Sequence, residues 1–363
     1  MEIIYLSYII SFVFLLTAIN IYKAFVYQIG KKSNITFKQK LSIVIAAKNE
    51  EKNINSLLNS LEKLNYPKEN FEVIIIESGS TISSKQVVDE FSDKISVSYF
   101  LQGNNGQGFS RNHGMKQAKG DYFSILDSDV LIDNDFVKNL NNQLANNYLD
   151  CYGGPDKLHP ASSPIQKAIN YCLTSIFTTG GIRGNKNHVG KFYPRSFNMG
   201  FSRKVFEATN GFKIPFFGED IELSARIMDL GYTTGLYEDV YVYHKRKTNF
   251  IDFFKQMHFF GRARINIYSF FPKTLKIVHF FPAAFFLFLC SIIPMLLVNR
   301  VIGSFLLGFL FLYLVLVFFD AFFTYKNFKI ALLCVPGVLI QMSGYGTGFI
   351  KDFTKRVIFG KDL

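Results

Sequence analysis

Long stretches without charged residues at both ends of the chain constrain its fold more than any other feature. The stretches that hold no Asp, Glu, Lys or Arg are residues 3–22, 277–298, 301–319 and 330–350. A helix rises about 1.5 Å per residue, so roughly 20 residues cross a hydrocarbon core about 30 Å thick. We therefore expect a transmembrane anchor within residues 1–29 and a membrane region with two to three transmembrane helices in residues 276–363.

Two of these stretches have an alternative interpretation. Residues 3–22 could form a cleavable signal peptide, but the basic segment and the small-residue cleavage site that flank such peptides are not seen beside them. We therefore expect a retained anchor. Residues 330–350 contain Pro336 and four glycines, so this stretch could re-enter the membrane or lie shallow in it instead of spanning it.

Basic residues predict the orientation of the chain in the membrane. Directly after the first stretch come Lys31, Lys32, Lys38 and Lys40. Such flanking lysines stay on the cytoplasmic side, so we expect residues 30–249 in the cytoplasm and the protein as an integral protein of the plasma membrane. The basic residues within 351–361 also favour the cytoplasm, whereas three complete spans would place them outside. A re-entrant last segment would remove this conflict.

Charge and cysteine content argue against two further classes of protein. The formal net charge is +12, but much of the basic excess flanks the apolar stretches or lies in residues 245–247. Membrane lipids are therefore the expected partner, and no nucleic acid is expected. The four cysteines lack metal-ligand spacing, and no disulfide framework is indicated.

Residues 250–275 form the link between the central region and the C-terminal apolar stretches. They mix many aromatic side chains with lysine and arginine. This pattern predicts an amphipathic helix at the membrane interface, with aromatic rings among the lipid headgroups. The alternative is a helix packed against the central domain.

The central region alternates short β-rich runs with amphipathic helical patterns, which is typical of a layered α/β domain. This order predicts a parallel sheet with right-handed crossovers, and ligands of such sheets bind at the carboxyl ends of the strands. Three strand ends are followed by polar pairs: Asn49 and Glu50, Glu77 and Ser78, and Asp127 and Asp129. We expect these pairs to meet in one crevice. A carboxylate there can bind a ribose or a base edge, or hold a divalent ion.

The context of the Asp-Ser-Asp turn makes it more than a solvated turn. The segment GNNGQGFSRNHGMKQAKGDYFSILDSDV combines a glycine-rich loop, an Arg-Asn pair that opens a helix, and a strand that ends in Asp-Ser-Asp. With IAAKNE, FEVIIIESGS, SFNMGFSRKVFEATNGFK and FFGEDIELSARIMDLGY, it resembles the family 2 glycosyltransferases of GT-A fold. Among these, it is similar to the membrane-bound enzymes that build exopolysaccharides and lipid-linked glycans.

The resemblance covers about residues 41–265 and implies the fold. That fold is an α/β GT-A (Rossmann-like) nucleotide-sugar-binding domain with a mixed, mainly parallel sheet, placed here in residues 30–249. N-terminal and C-terminal transmembrane helices flank it.

The resemblance also implies which residues bind the nucleotide sugar. They are Ala47, Asn49, Glu50, Glu77, Arg111, Asn112 and Asp127. Glu77 stands where the family usually has the first Asp of Asp-Asp-Gly-Ser, and Ser78 replaces the second. Arg111 offers a planar fork of donors that could contact the pyrophosphate or the nucleoside.

The metal and catalytic roles follow from the same resemblance. Asp129 is the expected ligand of Mg²⁺ or Mn²⁺, with His244 as a second ligand and Lys245 and Arg246 as phosphate contacts. Asp220 is the expected general base, beside Glu219. On the residues alone, His244 could be an ordinary half-exposed histidine. The acidic pair could simply stabilise a helix N-terminus, which is worth about 0.3–1 kcal/mol.

These roles together imply a metal-dependent inverting hexosyltransferase. It would move a sugar from a nucleoside diphosphate to a hydroxyl of a lipid-linked glycan or polysaccharide acceptor at the cytoplasmic membrane face. The chain has no tryptophan, and Gln256 is followed by Met-His-Phe instead of the Gln-x-x-Arg-Trp of processive synthases, so single addition is expected. A polyprenyl-phosphate glycosyl synthase of the same fold and a noncatalytic membrane scaffold, which Ser78 favours, remain as alternatives. The sequence contains neither the glycine motif of nucleotide-binding kinases nor that of dehydrogenases, so neither class is expected.

Overall fold

A computed structural model describes residues 40–179, 192–216 and 218–360. The predicted anchor in residues 1–29 and the lysines before Lys40 lie outside these residues. Residues Gln39–Leu140 and Leu149–Leu363 group into one compact unit, which contains every residue of the candidate site. Of the second unit, the described part is Asn141–Tyr148, which includes the last residues of one helix.

The described strands and helices alternate through the first half of the chain. The strands are β1 Leu41–Ala47, β2 Phe71–Ser78, β3 Val97–Gln102, β4 Tyr122–Asp127, β5 Val130–Ile132, β6 Cys151–Gly153, β7 Asp156–Leu158, β8 Asn198–Ser202, β9 Thr234–Leu236 and β10 Val242–His244. The helices before the membrane region are α1 Glu51–Glu62, α2 Lys85–Asp89, α3 Gln107–Gln117, α4 Phe136–Asn146, α5 Pro164–Thr174, α6 Ile176–Thr179, α7 Arg203–Thr209, α8 Glu219–Asp229 and α9 Phe250–Phe270.

The main sheet is mixed and mainly parallel, as expected. Its seven strands have the order β3-β2-β1-β4-β8-β6-β9. Strands β3, β2, β1 and β4 pair in parallel, and β8 runs antiparallel to both β4 and β6. The central strands are apolar and buried on both faces, with Ile43, Val44 and Ile45 fully buried in β1, because helices cover both faces of the sheet.

A second sheet has three strands in the order β5-β10-β7 and contains β10, the last described strand of the central domain. Strand β5 begins one residue after Asp129. In the antiparallel pairing of β10 with β5, His244 lies opposite Val130. This register brings two residues that are distant in sequence to the same place.

Three long apolar helices follow α9 in the described part of the chain: α10 Phe281–Val298, α11 Arg300–Tyr325 and α12 Phe328–Asp352. The corresponding segments are long and apolar enough to cross a membrane. Two of them resemble lipid-exposed helices, since only 11% of each apolar window is buried, but 44% of the third is buried. The last helix is therefore packed against protein along much of its length.

Helix α12 packs against α9 through its glycines. A side chain at Gly261 of α9 would collide with the carbonyl oxygen of Tyr345, and one at Gly348 of α12 would collide with that of His258. Small residues at such positions allow two helix backbones to approach closely. The glycines that suggested an interrupted segment in the sequence are thus contact points of one continuous helix.

Candidate active site

The carboxyl ends of β1, β2 and β4 lie side by side. Ala47 is in register with Glu77, and Ala46 with Asp127. Polar residues that follow these strands must therefore converge at one edge of the sheet, as the sequence predicts.

Asn49 links the loops that follow β1 and β2. Its backbone has φ +55°, a left-handed conformation that asparagine tolerates better than most residues. Its side-chain oxygen accepts hydrogen bonds from the Thr81 backbone N–H at 2.8 Å and the Thr81 hydroxyl at 3.0 Å. The neighbouring Glu50 accepts a hydrogen bond from the side chain of Asn53. These two predicted binding residues thus hold the chain that follows β1 through side-chain hydrogen bonds.

Glu77 is buried at the end of β2. Its carboxylate accepts hydrogen bonds from the backbone N–H of Ser84 at 2.9 Å, from the Ser84 hydroxyl at 3.2 Å and from the Tyr99 hydroxyl. Burial raises the pKa of Glu77, but these donors outweigh it and lower the pKa below its usual value. Ser78, which replaces the family's second aspartate, donates to the carbonyl of Gly103 at 2.8 Å and so holds the loop after β3.

Arg111 lies at the centre of the site and is only 2% exposed. One of its terminal nitrogens donates to Glu219 at 2.7 Å and the other donates to Asp127 at 2.7 Å. It therefore bridges the end of β4 and the first turn of α8. The sequence predicts that Arg111 contacts the pyrophosphate or the nucleoside; the structure shows that it holds Glu219 and Asp127.

Asn112 has a different environment from that of its neighbour. Its amide nitrogen donates to the carbonyl of Phe212 at 2.8 Å, and its oxygen accepts from the Phe212 backbone N–H at 2.8 Å. The side chain thus holds the loop that precedes α8. We observe a loop-fixing role for Asn112, next to the nucleotide-binding role that the resemblance implies.

Asp220 lies in the first turn of α8 and is nearly buried. One carboxylate oxygen accepts from the Arg195 Nε at 2.9 Å and the Ser196 backbone N–H at 3.3 Å, and the other accepts from the Ile221 N–H at 2.8 Å. Burial raises the pKa of Asp220, but the positive charge of Arg195 and the backbone donors outweigh it and lower the pKa. Asp220 is therefore a carboxylate at neutral pH.

The side chains of Asp129 and His244 lie close together at the end of the second sheet where β5 begins and β10 ends. The His244 Nε2 lies 3.3 Å from the Asp129 Oδ2, and the His244 Nδ1 lies 3.6 Å from the carboxylate of Asp156. A carboxylate behind a histidine fixes the orientation of the ring when its other nitrogen binds a metal. Asp156 is thus a site residue that sequence reasoning missed, although its position after Gly-Gly-Pro at the start of a strand was visible.

The residues fit a divalent cation that is completed by substrate. Side chains at 3.3 Å from each other have about the spacing of two neighbouring ligands whose metal bonds are about 2.1 Å long. Among the described residues, no group of three or more His, Cys, Asp and Glu side chains could by itself hold an ion. A Mg²⁺-type site needs only one or two protein ligands when phosphate oxygens and water supply the others.

The candidate residues surround one region. Burial raises the pKa of the Asp127 carboxyl, Asp129 and Asp220 raise it further, and Arg111 and His244 oppose them. Arg111 joins Asp127 to Glu219, the residue before Asp220, at 2.7 Å each, and Asp129 follows Asp127 by two residues. The acids expected to contact metal, donor and acceptor are therefore connected through Arg111 and the Asp-Ser-Asp turn.

Two basic residues differ from expectation in opposite ways. Arg195, which sequence reasoning did not identify, donates to Asp220. Arg246, which it assigned to phosphate, is 3% exposed in its side chain and donates to Asp156 at 2.6 Å and to Asn170 at 2.9 Å. Arg246 therefore contacts the carboxylate behind His244, and its expected phosphate contact stays a prediction.

Comparison with known proteins identifies a family domain in one part of the chain. The sequence model described as Glycosyl transferase family 2 matches residues 42–209. This chain carries a family 2 glycosyltransferase domain. The matched segment contains the predicted nucleotide-sugar residues and Asp129, and the family that the motifs resemble is confirmed.

Several curated relatives share short regions with this chain. TarS of Staphylococcus aureus (strain Mu50 / ATCC 700699), a poly(ribitol-phosphate) β-N-acetylglucosaminyltransferase, is 37% identical over 101 residues, which are 27% of this chain and 18% of the relative. A dolichyl N-acetyl-α-D-glucosaminyl phosphate 3-β-D-2,3-diacetamido-2,3-dideoxy-β-D-glucuronosyltransferase of Methanococcus voltae is 33% identical over 102 residues, 27% of this chain and 32% of the relative. The chain thus matches less than a third of the length of these relatives.

Longer alignments have lower identity. Glycosyltransferase AglE of Haloferax volcanii is 23% identical over 231 residues, which cover 63% of this chain and 74% of the relative. The solved mannosyltransferase PcManGT from Pyrobaculum calidifontis, in complex with GDP-Man and Mn²⁺, aligns over 95% of both chains with a TM-score of 0.55 and 13% identity. At this identity the likeness shows the fold alone, and the expected GT-A fold is confirmed.

Proposed function

We propose that this protein is a membrane-bound inverting hexosyltransferase of single-addition type. It transfers a sugar from a nucleoside-diphosphate sugar to a hydroxyl of a lipid-linked glycan or polysaccharide acceptor at the cytoplasmic face of the plasma membrane. The observation that carries the proposal is a set of contacts: His244 lies against Asp129, Arg111 joins Asp127 to Glu219, and Asp220 follows Glu219 in the first turn of α8. The names of the relatives, which include transferases to poly(ribitol-phosphate) and to a dolichyl-linked sugar, support this acceptor class.

The donor side is formed by the carboxyl ends of the strands. The loops held by Asn49 and Ser78 line the nucleoside pocket, and Glu77 is an ionised acceptor at its wall. Asp129 and His244 would hold the Mg²⁺ or Mn²⁺ ion, as the Mn²⁺ in the complex of PcManGT suggests. When bound, the ion neutralises the charge that develops on the departing nucleoside diphosphate.

The acceptor side is formed by α8 and the segment before β8. Asp220 is ionised and accepts a proton from the attacking hydroxyl, while Arg195 and two backbone N–H groups keep its carboxylate in a fixed orientation. Attack from the face opposite the diphosphate inverts the anomeric centre. Glu219 does not face the acceptor, since Arg111 and Gln107 hold it at 2.7 Å each.

Binding of nucleoside diphosphates with and without Mn²⁺ tests the donor site. We expect one of the uridine, guanosine and thymidine diphosphates to raise the unfolding temperature of the purified full-length protein, and a ligand at 100 times its Kd adds about 2.7 kcal/mol. Asp129→Asn should remove the part of the shift that depends on Mn²⁺, because it removes a charged ligand. The exposed Asp135→Asn is the matched control and should bind as the wild type does.

The same experiment separates the enzyme from a noncatalytic scaffold. If no nucleoside diphosphate stabilises the wild type and no sugar nucleotide is hydrolysed in the presence of Mn²⁺, the scaffold alternative is correct. An Mn²⁺-dependent shift that Asp129→Asn leaves intact would place the ion elsewhere.

For the membrane region we propose two spans, α10 and α11, with α12 lying along their cytoplasmic ends. Ring contacts of Phe288 with Phe309 at 6.1 Å and of Phe285 with Tyr313 at 5.6 Å join α10 and α11 into a hairpin. Helix α12 begins near the end of α11, where the ring centroids of Phe328 and Phe318 lie 5.5 Å apart. Further along, Gly346 packs against Pro282 at the start of α10.

This arrangement removes the conflict in topology. The two ends of a hairpin lie on the same side of the membrane, and α12 passes from one end to the other. The basic residues after α12 then stay in the cytoplasm, in agreement with the positive-inside rule. The high buried fraction of α12 supports the same placement.

Cysteine labelling in intact cells tests the topology. In a Cys290→Ser background, Asn299→Cys in the hairpin turn should react with a membrane-impermeant maleimide added outside. Lys355→Cys should react only after the membrane is opened. Labelling of Lys355→Cys from outside would show that α12 spans the membrane.

A further inference from the structure

We propose that Arg264, together with Arg195 and Lys276, binds the phosphate group of a lipid-linked acceptor. The inference rests on the proposed function, because it specifies the acceptor that the same site uses. Among the two acceptor classes, it selects the lipid-linked one.

The first observation is uncompensated positive charge. Arg262 and Arg356 share Asp352, with Arg262 donating to it at 3.0 Å and Arg356 lying 3.8 Å away. In the part of the chain that the structure describes, Arg264 and Lys276 form no ion pair, and the buried Arg264 Nε has no hydrogen-bond partner. A partly buried cation without a counter-charge is unfavourable. An anionic ligand would remove this cost.

The second observation is the convergence of three elements. Asn266 of α9 donates to the carbonyl of Phe216 at 3.4 Å and Ile267 of α9 packs against Gly218, so α9 lies beside the first turn of α8, which Arg195 contacts through Asp220. Ile265 of α9, Leu275 and Tyr345 of α12 pack in one apolar cluster, which brings the neighbouring Arg264 and Lys276 to the same part of the molecule. The three basic residues therefore come from separate elements that pack together at this place.

The third observation connects this position to the chemistry. Arg195 is 38% exposed in its side chain and donates to Asp220. A phosphate held between Arg195 and Arg264 would therefore lie next to the proposed base. The first sugar attached to that phosphate would present a hydroxyl to Asp220.

The fourth observation selects a lipid over a free phosphate. The segment that follows Lys276 leads into α10 and exposes large apolar side chains, with Ile277 91%, Val278 61% and Phe281 64% exposed. Such a surface suits a hydrocarbon chain in the bilayer. A lipid phosphate would thus have its charge at the basic residues and its chain along this apolar surface.

Binding of a polyprenyl diphosphate and of the matching polyprenol to the full-length protein in detergent tests the proposal. We expect the wild type to bind the diphosphate at least about tenfold more tightly, since charge-assisted hydrogen bonds contribute about 1.5–3 kcal/mol. Arg264→Ala and Lys276→Ala should each lose most of this difference, and Arg264→Lys should keep part of it. Lys255→Ala, on the exposed face of the same helix, is the matched control and should retain it.

Three results would overturn the proposal. The first is equal binding of the diphosphate by the wild type and Arg264→Ala. The second is displacement of the bound polyprenyl diphosphate by inorganic pyrophosphate as effectively as by the lipid diphosphate itself, which would indicate a site for free phosphate. The third concerns binding to phosphatidylglycerol vesicles relative to phosphatidylcholine vesicles. If Arg264→Ala loses as much of this binding as of its binding to the polyprenyl diphosphate, the residues form a general surface for lipid headgroups.

The thermal shift with nucleoside diphosphates is measured on the same samples. It shows whether Arg264→Ala is folded. If the wild type binds the lipid diphosphate but shows no nucleotide shift, the proposed function fails while the phosphate site stands.

Discussion

Asp220→Asn should lower the rate of sugar transfer by about 10²–10⁴, because it removes a positioned general base. Donor binding should not change, since Asp220 contacts Arg195 and backbone N–H groups of the acceptor side. The low pKa of Asp220 means that the wild-type carboxylate is already ionised at neutral pH. The activity of the wild-type protein should therefore be lost only in acid, as the pH falls through the lowered pKa of Asp220.

The measurement compares transfer rate with nucleoside-diphosphate binding for the same samples. Asp229→Asn is the matched control, because Asp229 is exposed at the other end of the same helix. Retention of most activity in Asp220→Asn would contradict a hydroxyl acceptor. It would favour the polyprenyl-phosphate glycosyl synthase, since a lipid phosphate attacks without a strong base.

Arg111→Met should destabilise the protein by about 3–5 kcal/mol, because it leaves the buried Glu219 and the partly exposed Asp127 without their shared cation. Glu219 is 2% exposed and lies 2.7 Å from the guanidinium, and Asp127 lies 2.7 Å from its other side. Lys116→Met on the exposed face of the same helix is the control and should change stability little. Chemical or thermal unfolding in detergent measures the difference.

A second variant keeps this prediction testable. Arg111→Met combined with Glu219→Gln should be less destabilised than the sum of the two single variants, since the neutral side chain no longer needs a cation. Equal additive losses would show that Arg111 acts only by packing.

The stability deficit of Arg111→Met should also depend on pH. Burial and Asp220 raise the pKa of Glu219, and Arg111 opposes them. Without Arg111, the folded-state pKa of Glu219 rises further above its unfolded value. The deficit is then largest above that folded-state pKa and shrinks as the pH falls towards the ordinary range of a glutamate.

Much of the donor side could be predicted from local sequence. The pairs at Asn49, Glu77 and Asp127 follow apolar strands, and parallel pairing necessarily places such positions at one edge. The family motifs in residues 42–209 supplied the fold. The details of each contact did not follow, since Asn112 holds Phe212 and Arg111 holds two acids.

The sequence by itself determined the alternating α/β order, the apolar helices and the acids at strand ends, because these depend on periodicity and on neighbours along the chain. Only the tertiary structure decided that His244 faces Asp129, that Arg195 contacts Asp220, and that α12 packs against α9 through glycines. Those facts depend on strand register and helix contacts between residues far apart in sequence. No local pattern specifies such contacts, because their energy comes from surfaces that meet only after the chain has folded.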